Sequence, residues 1–338
     1  MLRQPRAWNS CHPPDFEAKK EDLTSIIMDI PRTLDVNSQR FPWNLVQNPK
    51  LFLMIKVTSE VKTITQITRD LPGPLALVPT MGALHEGHLA LIRRARQLVG
   101  PNGTVAISIF VNPIQFDRDA DLTNYPRPLK NDLVLCEKEG VDLAFTPEKN
   151  FFYHSDHSVI VTESLLSKGL CGSSRPGHFD GVLTVVIKLF NLLQPTLAVF
   201  GEKDFQQVAL IRRMVRDLNI PVEIIKHPTV REPDGLALSS RNIRLTPQHR
   251  KDASRIQHAL SAASDLAMTG EQNPAAYLRR AKKHLLANAP DSFSIEYLEL
   301  IDAESMQAIS KVTKPAILAT ACFYEDIRLI DHVNILDG

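Results

Sequence analysis

The sequence predicts an α/β protein with a doubly wound, Rossmann-like, mostly parallel sheet and a second, smaller α+β domain. Two observations support this fold class. From residue 54 to about residue 229, short apolar runs suited to buried strands alternate with helical patterns, as in parallel sheets covered by helices. From residue 230 this alternation ends, and helical segments are followed by strand patterns. We therefore predict domains at residues 54–229 and 230–338.

The elements are expected in the following order. Residues 54–57 open the first domain, and an amphipathic helix extends to residue 69. Buried strands are predicted at residues 75–78, 105–111, 141–145, 158–161, 197–200 and 222–225, and helices at residues 87–99, 131–139, 182–193 and 206–218. In the second domain, helices are predicted at residues 247–268 and 274–287 and strands at residues 294–301 and 316–324.

Residues 1–53 follow no such pattern. They are dotted with prolines and show no sustained strand or helix period. They are either a flexible or regulatory extension, or a stretch upstream of a biological start at Met54. They also lack the continuous apolar segment of a secretory signal.

Composition and charge argue against several classes of protein. The formal net charge of +1 gives no overall attraction to nucleic acid or to an acidic membrane. The longest apolar stretch, residues 182–193, contains Lys188 and Asn191 and is too short to span a bilayer. The four cysteines form no CxxC pair, which favours reduced thiols in a cytoplasmic protein.

The strongest local motif is PTMGALHEGH at residues 79–88, which follows a predicted strand and opens a predicted helix. A glycine turn at a helix start directs backbone N–H groups at one point, which favours a bound anion. His85 and His88 lie three residues apart, so both imidazoles can donate hydrogen bonds to phosphate oxygens. The ordinary alternative is a pair of surface histidines, and a metal site is disfavoured because the HExxH pattern is absent.

Two further motifs offer groups that a nucleotide site needs. FGEKDFQQ at residues 200–207 follows another predicted strand, with Lys203 available for phosphate and Asp204 for a hydroxyl group or Mg²⁺. DGLALSSRN at residues 234–242 offers serine hydroxyls and the Arg241 guanidinium for a triphosphate, on a loop suited to act as a lid. Each of these motifs alone also fits a solvated polar loop.

Two other loops indicate a place for a small substrate. FVNPIQF at residues 110–116 carries amide side chains, which suit a hydroxyl or carboxylate group. RPGHFDG at residues 175–181 precedes a helix in which Val185 and Val186 are expected to line an apolar wall. The usual P-loop and dinucleotide fingerprints are absent from the sequence.

Taken in order, these motifs and YPR at residues 125–127 resemble the pantoate–β-alanine ligase family, within the HxGH nucleotidyltransferase superfamily. The resemblance extends over residues 54–338. It implies an ATP-dependent ligase that forms an amide bond between (R)-pantoate and β-alanine through a pantoyl adenylate, with AMP and pyrophosphate released. It also implies Mg²⁺ and a homodimer.

The resemblance further implies roles for individual residues. His88, as proton donor, would be catalytic together with His85, Lys203 and Arg241. Gln115 and Gln207 would hold pantoate, Gln115 would also meet β-alanine, and Asn112 and Pro79 would complete the substrate site. The ATP site would consist of Met81, Gly82, Ala83, Leu84, His85, Glu86, Gly87, His88, Gly201, Glu202, Lys203, Asp204, Val230, Leu238, Ser239, Ser240 and Arg241.

The metal ligand implied by the resemblance is Asp132, which follows the YPR segment at the family's acidic position. Some relatives carry more acid there, whereas Lys130 and Asn131 precede Asp132 in this chain. Other functions remain open at this stage: an HxGH nucleotidyltransferase acting on another small acceptor, or a nucleotide-binding sensor without turnover. A general RNA-binding module fits the net charge least.

Overall fold

The computed structural model describes residues 55–336, and the predicted extension at residues 1–53 lies outside this part. The main sheet has six parallel strands in the order β1-β4-β3-β2-β5-β6. Its central strands are apolar and almost completely buried, as expected for a parallel sheet with both faces covered. The strands are β1 (Lys56–Thr58), β2 (Leu75–Thr80), β3 (Thr104–Ile109), β4 (Leu143–Phe145), β5 (Leu197–Gly201) and β6 (Glu223–His227).

Helices connect these strands and cover the sheet. The longest, α7, buries most of its residues in the core beside the sheet. Among residues 55–336, no helix combines the length and the apolar character needed to cross a bilayer. The helices are α1 (Val61–Arg69), α2 (Glu86–Val99), α3 (Asp119–Thr123), α4 (Leu129–Lys138), α5 (Lys149–Phe152), α6 (Leu170–Ser174), α7 (His178–Leu193) and α8 (Phe205–Asp217).

The order of the strands places the functional motifs. From β2 the chain proceeds to β3 and β4 on one side, and then crosses to β5 and β6 on the other side. The sheet therefore reverses its winding between β2 and β5, which pair through Ala76 and Leu77. Open α/β sheets bind ligands beyond the carboxyl ends of the strands at such a point. PTMGALHEGH and GEKD follow these two neighbouring strands.

A second sheet is antiparallel and has the order β7-β8-β9. It packs with the C-terminal helices around a separate apolar core that includes Leu260, Tyr277 and Tyr324. The elements are α9 (Pro247–Asp252), α10 (Arg255–Ser264), α11 (Pro274–Leu286), β7 (Phe293–Asp302), β8 (Ala316–Tyr324) and β9 (Ile327–Ile335). Leu53–Gly338 form one compact unit, so the division at residues 229 and 230 stays a prediction.

The predicted fold class is confirmed, with three local corrections. The predicted strand at residues 158–161 is wrong, because Val159 and Ile160 are exposed and the N–H of Val161 donates to the hydroxyl of Thr184 instead of to a strand. Strand β9 was not predicted, because buried Asp331 and His332 interrupt its apolar alternation. The helix predicted at residues 247–268 is divided, as α9 ends at Asp252.

Candidate active site

A cleft lies beyond the carboxyl ends of β2 and β5. Its walls combine the three motifs that the sequence indicated for a nucleotide. The residues that line it from these motifs are Pro79, Met81, His85, Gly87 and His88 at and beyond the end of β2, Gly201, Lys203, Asp204 and Gln207 at and beyond the end of β5, and Val230, Leu238, Ser239, Ser240 and Arg241 before α9. The motifs are far apart in sequence, and the sheet reversal brings them to one place.

Five residues predicted to bind ATP lie outside this lining. Glu86 forms an ion pair with Arg93 on the exposed side of α2. Glu202 pairs with Lys226 on β6. Gly82, Ala83 and Leu84 form the floor of the turn after β2, and the last two direct their N–H groups to Asp132 instead of to the cleft.

The histidine pair is held at the start of α2. The backbone N–H of His85 donates to Nδ1 of His88 over 3.3 Å, and the two ring centroids are 4.1 Å apart. Because Nδ1 accepts this bond, the neutral His88 ring carries its proton on Nε2. Nδ1 of His85 is buried without a hydrogen-bond partner, as is common for groups that serve a ligand.

Both histidines are neutral near pH 7. Burial, with a contribution from Lys203, lowers the pKa of His85 to about 4. Burial and the neighbouring His85 lower the pKa of His88 to about 3. Near pH 7 His88 is therefore a neutral hydrogen-bond donor, whereas a proton-donor role needs its charged form.

Charged groups face the cleft from β5 and from the loop before α9. The carboxylate of Asp204 is exposed to the cleft. Surrounding protein atoms oppose its ionisation, but Lys203 and Arg241 outweigh them, and the pKa of Asp204 lies below its usual range. Arg241 donates to Asp121 over 2.7 Å, and the hydroxyl groups of Ser240 and Tyr125 are 3.2 Å apart.

A chain of hydrogen bonds fixes the amide of Gln115. The carbonyl of Gly181 can only accept, so the Asn112 side-chain nitrogen lies 3.0 Å from it, and 2.9 Å from Oε1 of Gln115. Oδ1 of Asn112 in turn accepts from the hydroxyl of Tyr153 over 3.0 Å. The amide nitrogen of Gln115 lies 3.1 Å from the sulfur of Met81. The side-chain amide of Gln115 therefore presents an N–H donor to the cleft.

Close packing makes this arrangement possible. A Cβ atom at Gly181 would lie 2.5 Å from the carbonyl oxygen of Ile114 and 2.6 Å from Cα of Gln115, so a side chain there would displace the loop. Asn112 is 1% exposed and its amide is engaged by three neighbours. The geometry favours Asn112 as a residue that orients Gln115, in place of the predicted contact with the substrate.

A second set of contacts reaches Gln115 from the RPGHFDG loop. Nδ1 of His178 lies 2.7 Å from the backbone carbonyl of Gln115, and Nε2 lies 3.0 Å from Arg175. Arg175 also pairs with Asp117 over 2.7 Å. Asp117, Tyr153 and Arg175 were not predicted as site residues. Asp117 directly follows the amide loop and Arg175 opens the RPGHFDG loop, but their ion pair, like the contact of Tyr153 with Asn112, forms only in the folded chain.

Asp132, the predicted metal ligand, does not face the cleft. It is 1% exposed, and its two oxygens accept the N–H groups of Ala83 and Leu84. Among residues 55–336, no group of three or more His, Cys, Asp or Glu side chains is arranged to hold a metal ion. The described part of the chain thus has no metal cage made of protein side chains alone.

Residues 54–334 match the protein family described as pantoate-beta-alanine ligase. The chain belongs to this family. The resemblance seen in the sequence motifs is thereby confirmed for nearly all of the region beyond the first 53 residues.

Relatives of this ligase family match over most of their length. A pantothenate synthetase of Akkermansia muciniphila is 50% identical over 264 residues, 77% of this chain and 92% of the relative. One of Thermotoga neapolitana is 46% identical over 279 residues, 82% of this chain and 98% of the relative.

Solved structures of the ligase family share the fold. A pantothenate synthetase of Thermus thermophilus has a TM-score of 0.77 at 42% identity, over 82% of this chain and 99% of the other. The pantoate-beta-alanine ligase of Francisella tularensis, complexed with beta-gamma ATP and beta-alanine, has a TM-score of 0.69 at 32% identity, over 84% and 99%.

The buried histidines of this ligase-family chain predict a loss of stability in acid. Burial, together with Arg175, lowers the pKa of His178 to about 4, so the unfolded chain binds this proton first as the pH falls below about 6.5. By about pH 5 this difference destabilises the folded state by about 2 kcal/mol. We expect His178→Asn to reduce the drop in unfolding free energy between about pH 8 and pH 5 by that amount, measured by urea unfolding.

The quantity to compare is the change in unfolding free energy with pH, and not the unfolding free energy at one pH, since the substitution also changes packing. His258→Asn is the matched control, because His258 is exposed on α10 and its replacement should leave the slope unchanged. Equal slopes for wild type and His178→Asn would contradict the prediction.

Proposed function

We propose that this chain condenses (R)-pantoate with β-alanine, using ATP, to give pantothenate, AMP and pyrophosphate through a pantoyl-adenylate intermediate. Membership of the pantoate–β-alanine ligase family supports this function. The observation that carries it for this chain is the cleft itself. There the histidine pair, Lys203 and Arg241 line the same cavity as the amide donor of Gln115.

We assign the ATP phosphates to the basic side of the cleft. The histidine pair donates from the start of α2, where the first N–H groups of the helix also favour an anion. Lys203 and Arg241 supply full positive charges, and Ser239 and Ser240 supply hydroxyl groups. These groups would offset the charge that develops on the phosphates as pyrophosphate leaves.

We assign pantoate to the amide side of the cleft. Gln115 offers an N–H donor, which suits a carboxylate or hydroxyl oxygen, and Gln207 lies in the same lining. Val185 and Val186, which the sequence indicated, form an apolar wall there together with Val182 of α7. This wall suits the methyl groups of pantoate.

The reaction then proceeds in two steps. A carboxylate oxygen of pantoate attacks the α-phosphorus of ATP, and the bond to the β-phosphate oxygen breaks to release pyrophosphate. The amine of β-alanine next attacks the acyl carbon, loses a proton, and expels AMP. The protein forms no covalent bond, so its contribution is the positioning of the reactants and the stabilisation of charge.

Mg²⁺ is part of this proposal. Mg²⁺ is commonly held by one or two carboxylates together with substrate phosphates. Asp204 fits that role, because its carboxylate is ionised and exposed to the cleft beside Lys203. Bound there, the ion would neutralise phosphate charge. Asp132 does not fit, since its oxygens are buried against the turn after β2.

A homodimer and a cytoplasmic location complete the proposal. The buried cysteines Cys136, Cys171 and Cys322 are free thiols, which is usual for proteins of a reducing compartment. Sedimentation of the purified chain tests the dimer, and fractionation of the source cells tests the location. A purely monomeric chain would contradict the proposed dimer, and a chain found outside the cytoplasm would contradict the proposed location.

AMP release tests the proposed function. The chain is incubated with ATP, Mg²⁺, pantoate and β-alanine, and nucleotides are separated by chromatography. We expect AMP only when pantoate is present, with turnover that depends on β-alanine. Transfer of AMP to another acceptor would support a nucleotidyltransferase instead, and ATP binding without any turnover would support a sensor.

The hydrogen-bond chain behind Gln115 predicts a selective effect. Tyr153→Phe removes the donor that orients Asn112, so the Gln115 amide is less firmly held with its N–H toward pantoate. We expect the KM for pantoate to rise about tenfold, equivalent to about 1.4 kcal/mol, with little change in the KM for ATP. Steady-state kinetics with each substrate varied in turn measures both values.

The matched control is Tyr277→Phe, which also removes a hydroxyl bond, from Tyr277 to the carbonyl of Glu271 in the C-terminal part of the chain. That variant should keep both KM values. A Tyr153→Phe variant with an unchanged KM for pantoate, or with both KM values raised equally, would show that the chain of bonds does not control the pantoate site.

A further inference from the structure

The turn between β2 and α2 has an unusual backbone. Gly82 and Ala83 are consecutive residues in the left-handed region, with φ of 82° and 50°. Glycine adopts this conformation freely, whereas alanine does so only at a cost. Thr80 supports the first residue, since its hydroxyl accepts the N–H of Gly82 over 3.2 Å while it donates to the carbonyl of Ser108.

The second residue is supported from another helix. Asp132 lies in the first turn of α4, and its Oδ2 accepts the N–H of Ala83 over 2.9 Å. Oδ1 of the same carboxylate accepts the N–H of Leu84 over 2.8 Å. A Cβ atom at Gly82 would lie 3.0 Å from Oδ2. The turn therefore packs directly against a buried carboxylate that accepts hydrogen bonds from two successive N–H groups.

The contact between Asp132 and the turn fixes the positions of the cleft residues on either side of it. Met81 precedes the left-handed pair and His85 follows it, and both line the cleft. Hydrogen bonds from two N–H groups to one carboxylate are stronger than bonds to a neutral acceptor, so they can keep Ala83 in its costly conformation. Without them, the direction in which the chain enters α2 would no longer be fixed.

We propose that Asp132 is a positioning residue for the ATP site: it fixes the turn after β2 from behind and does not bind Mg²⁺. A protein-bound Mg²⁺ usually keeps several water molecules. The carboxylate of Asp132 is 1% exposed and accepts a backbone N–H at each oxygen, so it offers little surface to such a hydrated ion. The proposal depends on the proposed function only in that the turn binds ATP.

Asp132→Asn is the direct test, because asparagine keeps one acceptor but turns an N–H₂ group toward the second N–H. We expect about tenfold weaker binding of a non-hydrolysable ATP analogue, measured by calorimetry without pantoate, and a similar rise in the KM for ATP. The KM for pantoate and the half-saturating concentration of Mg²⁺ should not change.

A second substitution separates positioning from metal binding. Ala83→Gly removes the cost of the left-handed conformation, so in the Asp132→Asn background it should restore a large part of the affinity for the ATP analogue. A lost metal ligand would not be restored in this way. If Asp132→Asn does not fold, as judged by circular dichroism, Asp132→Ser with and without Ala83→Gly replaces it.

Asp142→Asn is the matched control. Asp142 also accepts a backbone N–H, from Val105 over 2.8 Å, and pairs with Arg96, but Val105 lies in β3 and not in the turn that carries Met81 and His85 into the cleft. Its replacement should leave ATP affinity unchanged.

Two results would overturn the proposal: a raised requirement for Mg²⁺ with unaltered ATP affinity, or no effect of the Asp132 substitutions. Failure of the proposed function looks different, because the wild type would then bind the ATP analogue but release no AMP with pantoate and β-alanine.

Discussion

Lys203→Ala is expected to lower kcat/KM for ATP at least a hundredfold. Lys203 follows β5 at the point where the sheet reverses, and it lines the cleft beside Asp204. Its ammonium group would lie against phosphates that gain negative charge as the bond to pyrophosphate breaks. Removing one such charge contact costs about 3 kcal/mol, on the order of a hundredfold in rate.

The measurement is AMP release at saturating pantoate and β-alanine over a range of ATP concentrations. Lys203→Arg keeps the charge but replaces a compact ammonium by a planar group, so we expect it to recover only part of the loss. Lys226→Ala is the control, since Lys226 is half-exposed and pairs with Glu202 on the neighbouring strand end.

Thermal melts of the variants separate folding from catalysis. A loss of activity matched by a large drop in melting temperature would leave a structural role for Lys203 as the explanation. Near wild-type activity in Lys203→Ala would show that the phosphates lie elsewhere in the cleft.

The position of Lys203 was predictable from the sequence because it depends on local patterns. An apolar strand followed by a polar turn indicates a strand end, and parallel strand ends meet at one edge of a sheet. The same reasoning located His85, His88 and Gln115, all of which line the cleft. Sequence patterns of this kind report the strand on which a residue lies and the edge at which it emerges.

Contacts between distant segments were not predictable in this way. Tyr153 contacts Asn112, Asp121 contacts Arg241, and Asp132 contacts the turn after β2. Each pair depends on how two connecting segments pack, and no period in the sequence reports that. The resemblance implied a metal ligand at Asp132 because this residue follows the YPR segment at the family's acidic position. The burial of Asp132, which only the fold sets, gives its carboxylate two backbone donors instead.

Packing also explains the missed strand. In β9 the buried Asp331 breaks the apolar alternation that predicts a strand. Arg231, from the loop before α9, donates two hydrogen bonds to this carboxylate, over 2.6 and 2.9 Å. The pair makes burial of Asp331 tolerable, and it links the second sheet to the loop that carries Ser239, Ser240 and Arg241.

His88→Ala is expected to have an effect comparable to that of Lys203→Ala. His88 lines the cleft with Nδ1 engaged by the N–H of His85, so its remaining group is an Nε2–H donor. Without this side chain, one fixed hydrogen bond to the negative charge that develops on the phosphates is lost. A loss of this kind lowers the rate about a hundredfold. His88→Gln keeps an N–H donor of similar reach and should retain more activity. His258→Ala, at an exposed site on α10, should retain all of it.

The dependence on pH distinguishes the two roles open to His88. Burial lowers its pKa to about 3, and kcat/KM reports ionisations of the free enzyme. A neutral donor therefore predicts that the ratio of kcat/KM between wild type and His88→Gln stays constant from about pH 6 to pH 8. Ionisations of ATP and pantoate cancel in that ratio. A ratio that falls as the pH rises would mean that His88 acts while protonated.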